Sequence, residues 1–132
     1  MLKRTTATGD LLPYIIAVDG DGVLCDGEWP AVGSIDVEMV DALQACQDAG
    51  AVIILWTCRR NAALDVLIER VEKPGFAFDA VNANLPAVME YYGRDGRKLA
   101  ANLYLDDHAF GWDRDGALKH LHETAELLAI FG

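Results

Sequence analysis

The sequence predicts an α/β fold of three layers, a central parallel sheet with helices on both faces and no cap domain. Three features of the 132 residues carry that expectation. Short, continuous apolar runs have the composition of strands buried on both faces. They alternate with segments whose apolar residues recur at helical spacing, the pattern of βαβ units. The runs end abruptly in acids or hydroxyls, and open α/β sheets bind ligands at the carboxyl ends of their strands.

The elements follow in order. Residues 1–12 read as a lead-in, and 13–132 as one domain, with Pro13 just before the first strand. That strand is the β-branched run Ile15, Ile16, Val18, and it stops at Asp19-Gly20-Asp21-Gly22. A loop over 26–33 follows. Ser34 is the expected N-cap of the first helix, with Asp36 and Glu38 where the helix dipole favours acids. Val37, Val40, Leu43 and Cys46 mark its apolar face, and Gly50 ends it. Residues 51–56 (Ala-Val-Ile-Ile-Leu-Trp) form the second strand, running into Thr57-Cys58-Arg59-Arg60. Leu64, Leu67, Ile68 and Val71 define the second helix, stopped by Pro74-Gly75. A weaker strand is expected over 76–81, a short helix over 87–92, and a last strand over 99–105 ending in Asp106-Asp107. Leu118, Leu121, Ala125 and Leu128 mark the closing helix.

Composition narrows the function. Apolar content of 52% with 24% charged residues is that of a globular chain rather than a disordered one. A net charge of −10 opposes binding to nucleic acid or anionic lipid. Three cysteines (Cys25, Cys46, Cys58) with no Cys-x-x-Cys pair fit a reducing compartment better than a disulfide or zinc framework. No apolar leader follows Lys3 and Arg4, and no run approaches the ~20 apolar residues of a membrane span. A cytoplasmic location is the expectation.

Parallel strands bring their carboxyl ends to one edge, so Asp19, Asp21, Thr57, Asp106 and Asp107 are expected to converge, with Lys98 just ahead of the last strand. Carboxylates from two strands make an oxygen cage suited to Mg²⁺. A hydroxyl and an ammonium supply donors for phosphate oxygens. Gly20 and Gly22 let the backbone approach a ligand. Each residue also has a plainer reading: Asp-Gly turns, Asp106-Asp107 as a turn or cap, Thr57 as a helix cap, Lys98 as a solvated surface group. Arg59 and Arg60 fit either substrate contact or pairing with surface acids. Asn82 and Asn84 fit substrate contact or turns. His108, His120 and His122 lack a metal-type arrangement, although His108 adjoins the acid pair.

The order Asp-x-Asp-Gly, Thr, Lys, Asp-Asp resembles the four motifs of the haloacid dehalogenase (HAD) superfamily of phosphohydrolases. Residues 19–23 (Asp-Gly-Asp-Gly-Val) resemble the first motif, Thr57 the second, Lys98 the third and Asp106-Asp107 the fourth, a span from about 14 to 122. Leu55-Trp56-Thr57-Cys58-Arg59 and Arg97-Lys98-Leu99 further resemble small capless members of the superfamily. The resemblance implies a Rossmann-like (HAD-like) fold and a Mg²⁺-dependent phosphomonoesterase acting through an aspartyl-phosphate. Asp19 would be the nucleophile, and Asp21 would protonate the leaving oxygen and then activate water, for which it would have to hold a proton at neutral pH. Asp19, the backbone carbonyl of Asp21, and Asp106 or Asp107 would hold the metal. Thr57 and Lys98 would hold the phosphoryl group, with Cys58 and Gly20 beside it. Two positions depart from the pattern: Gly20 stands where a bulky apolar residue is usual, and Val23 where Thr is commonest. Gly20 is expected to loosen the backbone beside the nucleophile.

Two other classes compete. In a signalling receiver domain the phosphoacceptor Asp ends a middle strand, whereas here that strand ends in Thr57. A catalytically weak protein of the same fold, binding a phosphorylated ligand or a partner, is the other. The gaps between motifs leave no room for a cap, so the site is expected to be open or covered by a second subunit of a homo-oligomer. A small phosphorylated metabolite, such as a sugar phosphate or a nucleotide, is the expected substrate.

Overall fold

The computed structural model describes residues 12–73 and 75–131. Of the expected lead-in only Leu12 falls among them, and so does Gly75 but not Pro74 of the expected Pro-Gly stop. The chain runs β1 (Ile15–Val18), α1 (Val37–Asp48), β2 (Val52–Leu55), α2 (Asn61–Glu72), β3 (Ala80–Val81), α3 (Pro86–Tyr92), β4 (Leu103–Leu105) and α4 (Arg114–Phe131). All four strands are parallel, in the order β3-β2-β1-β4. The three-layer Rossmann-like α/β fold expected from the sequence is therefore the fold observed. No cap domain interrupts it among the described residues.

Strand alternation divides the core. Ile16, Val18, Ile53 and Leu55 point to one face, where they pack with residues of α1, α2 and α4 such as Leu43, Leu67 and Leu121. Ile15, Ala17 and Ile54 point to the other, covered by Val88 of α3 and by Leu99. The layers are thus unequal, three helices against one short one. All four β1 residues are buried. Burying an isoleucine or valine contributes about 1.5–3 kcal/mol, so this strand anchors the sheet.

Local chemistry moves several expected boundaries. The N-cap of α1 is Asp36, not Ser34: its Oδ1 accepts from Met39 N at 3.2 Å. Ser34 instead closes a short flap, where Asp26 N donates to Ser34 O and Gly33 N to Asp26 O. Asp36 also takes Arg114 Nε at 2.7 Å, which ties the start of α1 to that of α4. The third strand is confined to Ala80–Val81 because the Asp79 carboxylate replaces a backbone rung, accepting from Ile53 N at 2.8 Å. Asn102 does the same before β4, its Oδ1 accepting from Ile15 N at 2.8 Å. The last strand therefore starts at Leu103 rather than 99. No helix among the described residues is long and apolar enough to cross a membrane.

Candidate active site

The chain fills β2 and β3 on one side of β1 and then crosses to place β4 on the other. The break in strand order between β1 and β4 is a topological switch point, where such sheets open a crevice at their carboxyl edge. Register fixes what meets there. Val18 pairs with Leu105 and with Leu55, so Asp19 emerges beside Asp106 on one side and Trp56-Thr57 on the other. Asp19 N donates to Leu105 O, and Trp56 N to Val18 O, both at 2.8 Å. The result is a cleft of about 670 Å³ lined by Asp19, Asp21, Thr57, Cys58, Asp106 and Asp107, among others.

The acids are pressed together. Asp19 lies within hydrogen-bonding reach of Asp107, and its pKa is pushed up to about 7, first by burial, then by that bond and by the charges of Asp106 and Asp107. Gly22, at φ +85°, faces the Asp107 carboxylate so closely that a Cβ there would sit 2.1 Å from Oδ2. A glycine is required on both counts. Asp107 Oδ1 is buried and has no hydrogen-bond partner. Asp106 Oδ1 accepts from His108 N at 2.9 Å, and His108 Nε2 stands 3.8 Å from Asp107 Oδ2. Asp106, Asp107 and His108 each offer a ligand atom, all within 4.8 Å of one another. Clustered carboxylates with an orphaned buried oxygen are a donor set that fits a hard divalent cation such as Mg²⁺.

Asp21 has a different environment. Arg59 is 3% exposed and grips both of its oxygens, Nε to Oδ2 and Nη2 to Oδ1, each at 2.7 Å. Those bonds hold the Asp21 carboxyl below the usual carboxylate range. The expectation that Asp21 holds a proton at neutral pH is thereby corrected: an opposite charge in bidentate contact favours the ionised form. Arg59 also donates to Pro30 O and Ala31 O, so one guanidinium ties Asp21 to the flap. Arg70 adds bonds to Val32 O and Gly33 O. Of the two readings of Arg59 from sequence, pairing with an acid is the one observed, but the acid is Asp21 at the cleft and the guanidinium itself is buried. Nothing local signals it, because Asp21 and the flap carbonyls lie 28 to 38 residues away, and the one near partner, Ala63 O, does not reveal them.

Thr57 sits at the cleft with its peptide clamped by Asn82, which accepts from Thr57 N at 2.8 Å and donates to Thr57 O at 2.9 Å. Thr57 Oγ1 accepts from Arg59 N at 3.1 Å, a turn ahead of α2 rather than a helix cap. Asn84 instead braces the far loop, through Asp95 and Ala100 N. Gly20 is buried, and a Cβ there would meet Leu67 Cδ2 at 2.5 Å. Leu67 of α2 fills the volume of an apolar side chain, so Gly20 is packed tightly and does not loosen the backbone. Its carbonyl accepts from Leu24 N at 2.8 Å, and no cleft-lining atom is its own.

Lys98 is not brought to the acids. Its ammonium lies 5.3 Å from the centroid of the Tyr104 ring and lines a separate cleft with Asn84, Tyr92 and Arg94. Residues just before a parallel strand sit at its amino edge, away from the carboxyl edge where Asp19 emerges, and this accounts for the correction.

Fold and cleft together define a parallel α/β domain with an acid cage at its switch point. No protein-family model and no curated protein matches the chain. Among solved structures it is similar to one described as the conserved protein coded by a locus from Bacteroides thetaiotaomicron. The two are 30% identical over 89% of this chain and 97% of that one, with a TM-score of 0.71. The chain belongs to the family of that conserved protein.

Proposed function

We propose that the protein is a Mg²⁺-dependent phosphomonoesterase of the haloacid dehalogenase type, acting on a small phosphorylated molecule through an aspartyl-phosphate. The observation that carries this reading is the Asp19–Asp107 contact beside an unpartnered, buried Asp107 oxygen. Asp19, the Asp21 carbonyl, Asp106 and Asp107 would hold the ion, with His108 adjacent. Once bound, Mg²⁺ offsets the acid cluster and polarises the phosphoryl oxygens.

The chain's own groups divide the remaining work. Asp19, its proton given up to solvent, attacks phosphorus while the ester P–O bond breaks. The leaving oxygen takes a proton from solvent and departs as the alcohol. Water then attacks the aspartyl-phosphate, the bond to Asp19 breaks, Asp21 takes one water proton, and inorganic phosphate leaves. Asp21 then passes that proton to solvent and returns to its ionised form. Ionised by Arg59, Asp21 rests in the form that accepts a proton from water. Thr57, its peptide fixed by Asn82, and Cys58 line the cleft where the transferring phosphoryl oxygens would lie.

Hydrolysis of a generic aryl phosphate tests the reading. Turnover should require Mg²⁺ and vanish in Asp19→Asn; turnover that persists in that variant would refute it. A second reading, a protein that binds a phosphorylated ligand without hydrolysing it, is favoured by the engagement of both Asp21 oxygens with Arg59. Saturable binding of a phosphate mimic with no turnover would select it.

A further inference from the structure

The cleft combines two features that the phosphomonoesterase reading leaves unused. First, it is lined by five aspartates, Asp19, Asp21, Asp26, Asp106 and Asp107, and by no lysine or arginine. A divalent ion and the buried Arg59 together cancel three of those five charges. Two of the five carboxylate charges are then left uncancelled before a phosphate enters. A second anionic group on the substrate would find no lysine or arginine among the lining residues and would face uncompensated carboxylates. Second, three segments that line the cleft each carry an exposed aromatic ring. Trp56, 37% exposed, lines it directly; Trp29 is 68% exposed on the flap that contributes Asp26 and Gly27; Phe110 is fully exposed two residues after His108. Trp56 forms part of the cleft wall, and Trp29 and Phe110 stand on the two other segments that border it, so a planar group in the cleft has an aromatic face to stack on and two more rings on its rim segments.

We infer that the cleft takes a monoester with a single phosphate and an otherwise uncharged planar group, the chemistry of a nucleoside monophosphate, in preference to sugar phosphates or bisphosphates. This rests on the phosphomonoesterase reading and narrows its substrate class. The phosphate lies toward the acid cage, and the ring system lies outward among Trp56, Trp29 and Phe110. Stacking of a base on an aromatic side chain is worth ~1–3 kcal/mol, or about 5- to 150-fold in affinity.

The test measures kcat/KM with Mg²⁺ for a nucleoside 5′-monophosphate, the matching 3′,5′-bisphosphate, ribose 5-phosphate and an aryl phosphate. The monophosphate should exceed both ribose 5-phosphate and the bisphosphate by about tenfold or more. Its ratio to ribose 5-phosphate should fall by about fivefold or more in Trp56→Ala, and fall also in the surface variant Phe110→Ala, mainly through KM. An aryl phosphate favoured over every nucleotide would assign the planar group to a phenol instead. Ribose 5-phosphate or the bisphosphate used as well as the monophosphate, with the aryl phosphate still hydrolysed, overturns this inference and leaves the phosphatase reading intact. If nothing is hydrolysed, tryptophan fluorescence in the presence of Mg²⁺ decides. Saturable quenching by the nucleoside monophosphate but not by ribose 5-phosphate keeps the ligand class and removes the phosphatase; no quenching removes both.

Discussion

Replacing Asp19 by Asn removes one carboxyl from the acid cage while keeping its shape. In the metal-free protein the pKa of Asp19 is pushed up to about 7, because burial, Asp107 and Asp106 all oppose its charge. A carboxyl whose folded-state pKa is raised stabilises the fold when protonated, fully so below its unfolded value. That contribution is lost as pH climbs toward and through about 7. The full shift would correspond to ~4 kcal/mol, and partial solvation and sharing of the proton with Asp107 reduce it to roughly 2–3 kcal/mol. For a domain of this size that is about 5–15 °C in Tm. Thermal melts of wild type and Asp19→Asn at pH 5 and pH 8, each with and without Mg²⁺, read it out. Metal-free wild type should lose stability between pH 5 and 8 relative to Asp19→Asn, and Mg²⁺ should restore it in wild type. Equal pH slopes for the two proteins without metal would refute the reasoning.

Other perturbations act on separate parts of the account. Gly22→Ala places a methyl against the Asp107 carboxylate at a positive φ, and should weaken Mg²⁺ binding by about tenfold in a calorimetric titration, with ~1 kcal/mol lost in stability. Arg59→Ala leaves Asp21 and the carbonyls of the flap without their donor, and should cost roughly 2–4 kcal/mol in denaturant unfolding and expose 26–33 to proteolysis. Lys98→Ala should leave kcat/KM for an aryl phosphate within about twofold, since its ammonium lies over Tyr104 and not at the cleft; a large loss would return it to the site. Asp36 caps α1 and binds Arg114, which holds its pKa below the usual range. Its contribution is therefore present above about pH 4 and lost as pH falls through the folded-state value. Asp36→Ala should cost about 1–2 kcal/mol at pH 7 and flatten acid denaturation in that window.

The strands that build the cleft were legible because each is a short apolar run stopped by a charged or hydroxyl residue. A parallel sheet leaves little choice about where those stops converge. Asp19, Thr57, Asp106 and Asp107 follow from that alone. What the sequence concealed depends on partners remote in the chain. Arg59 reads as one of two adjacent arginines, and only the fold carries it under the flap to Asp21. Leu67 is one apolar residue of a helical stripe, yet it explains why Gly20 has no side chain. Asp79 and Asn102 look like loop residues, and by replacing backbone rungs they shorten β3 and β4. Lys98 lies away from the acids for a geometric reason: nearness in sequence to the start of a strand is remoteness from that strand's carboxyl end.

The proposed mechanism requires Asp19 to carry the phosphoryl group. Acid quenching during turnover of a radiolabelled phosphomonoester with Mg²⁺, followed by peptide mapping, reads this directly. Label should appear on the peptide containing Asp19, discharge in mild base as an acyl phosphate does, and be absent from Asp19→Asn. Turnover without any labelled enzyme, or label on another residue, would contradict it.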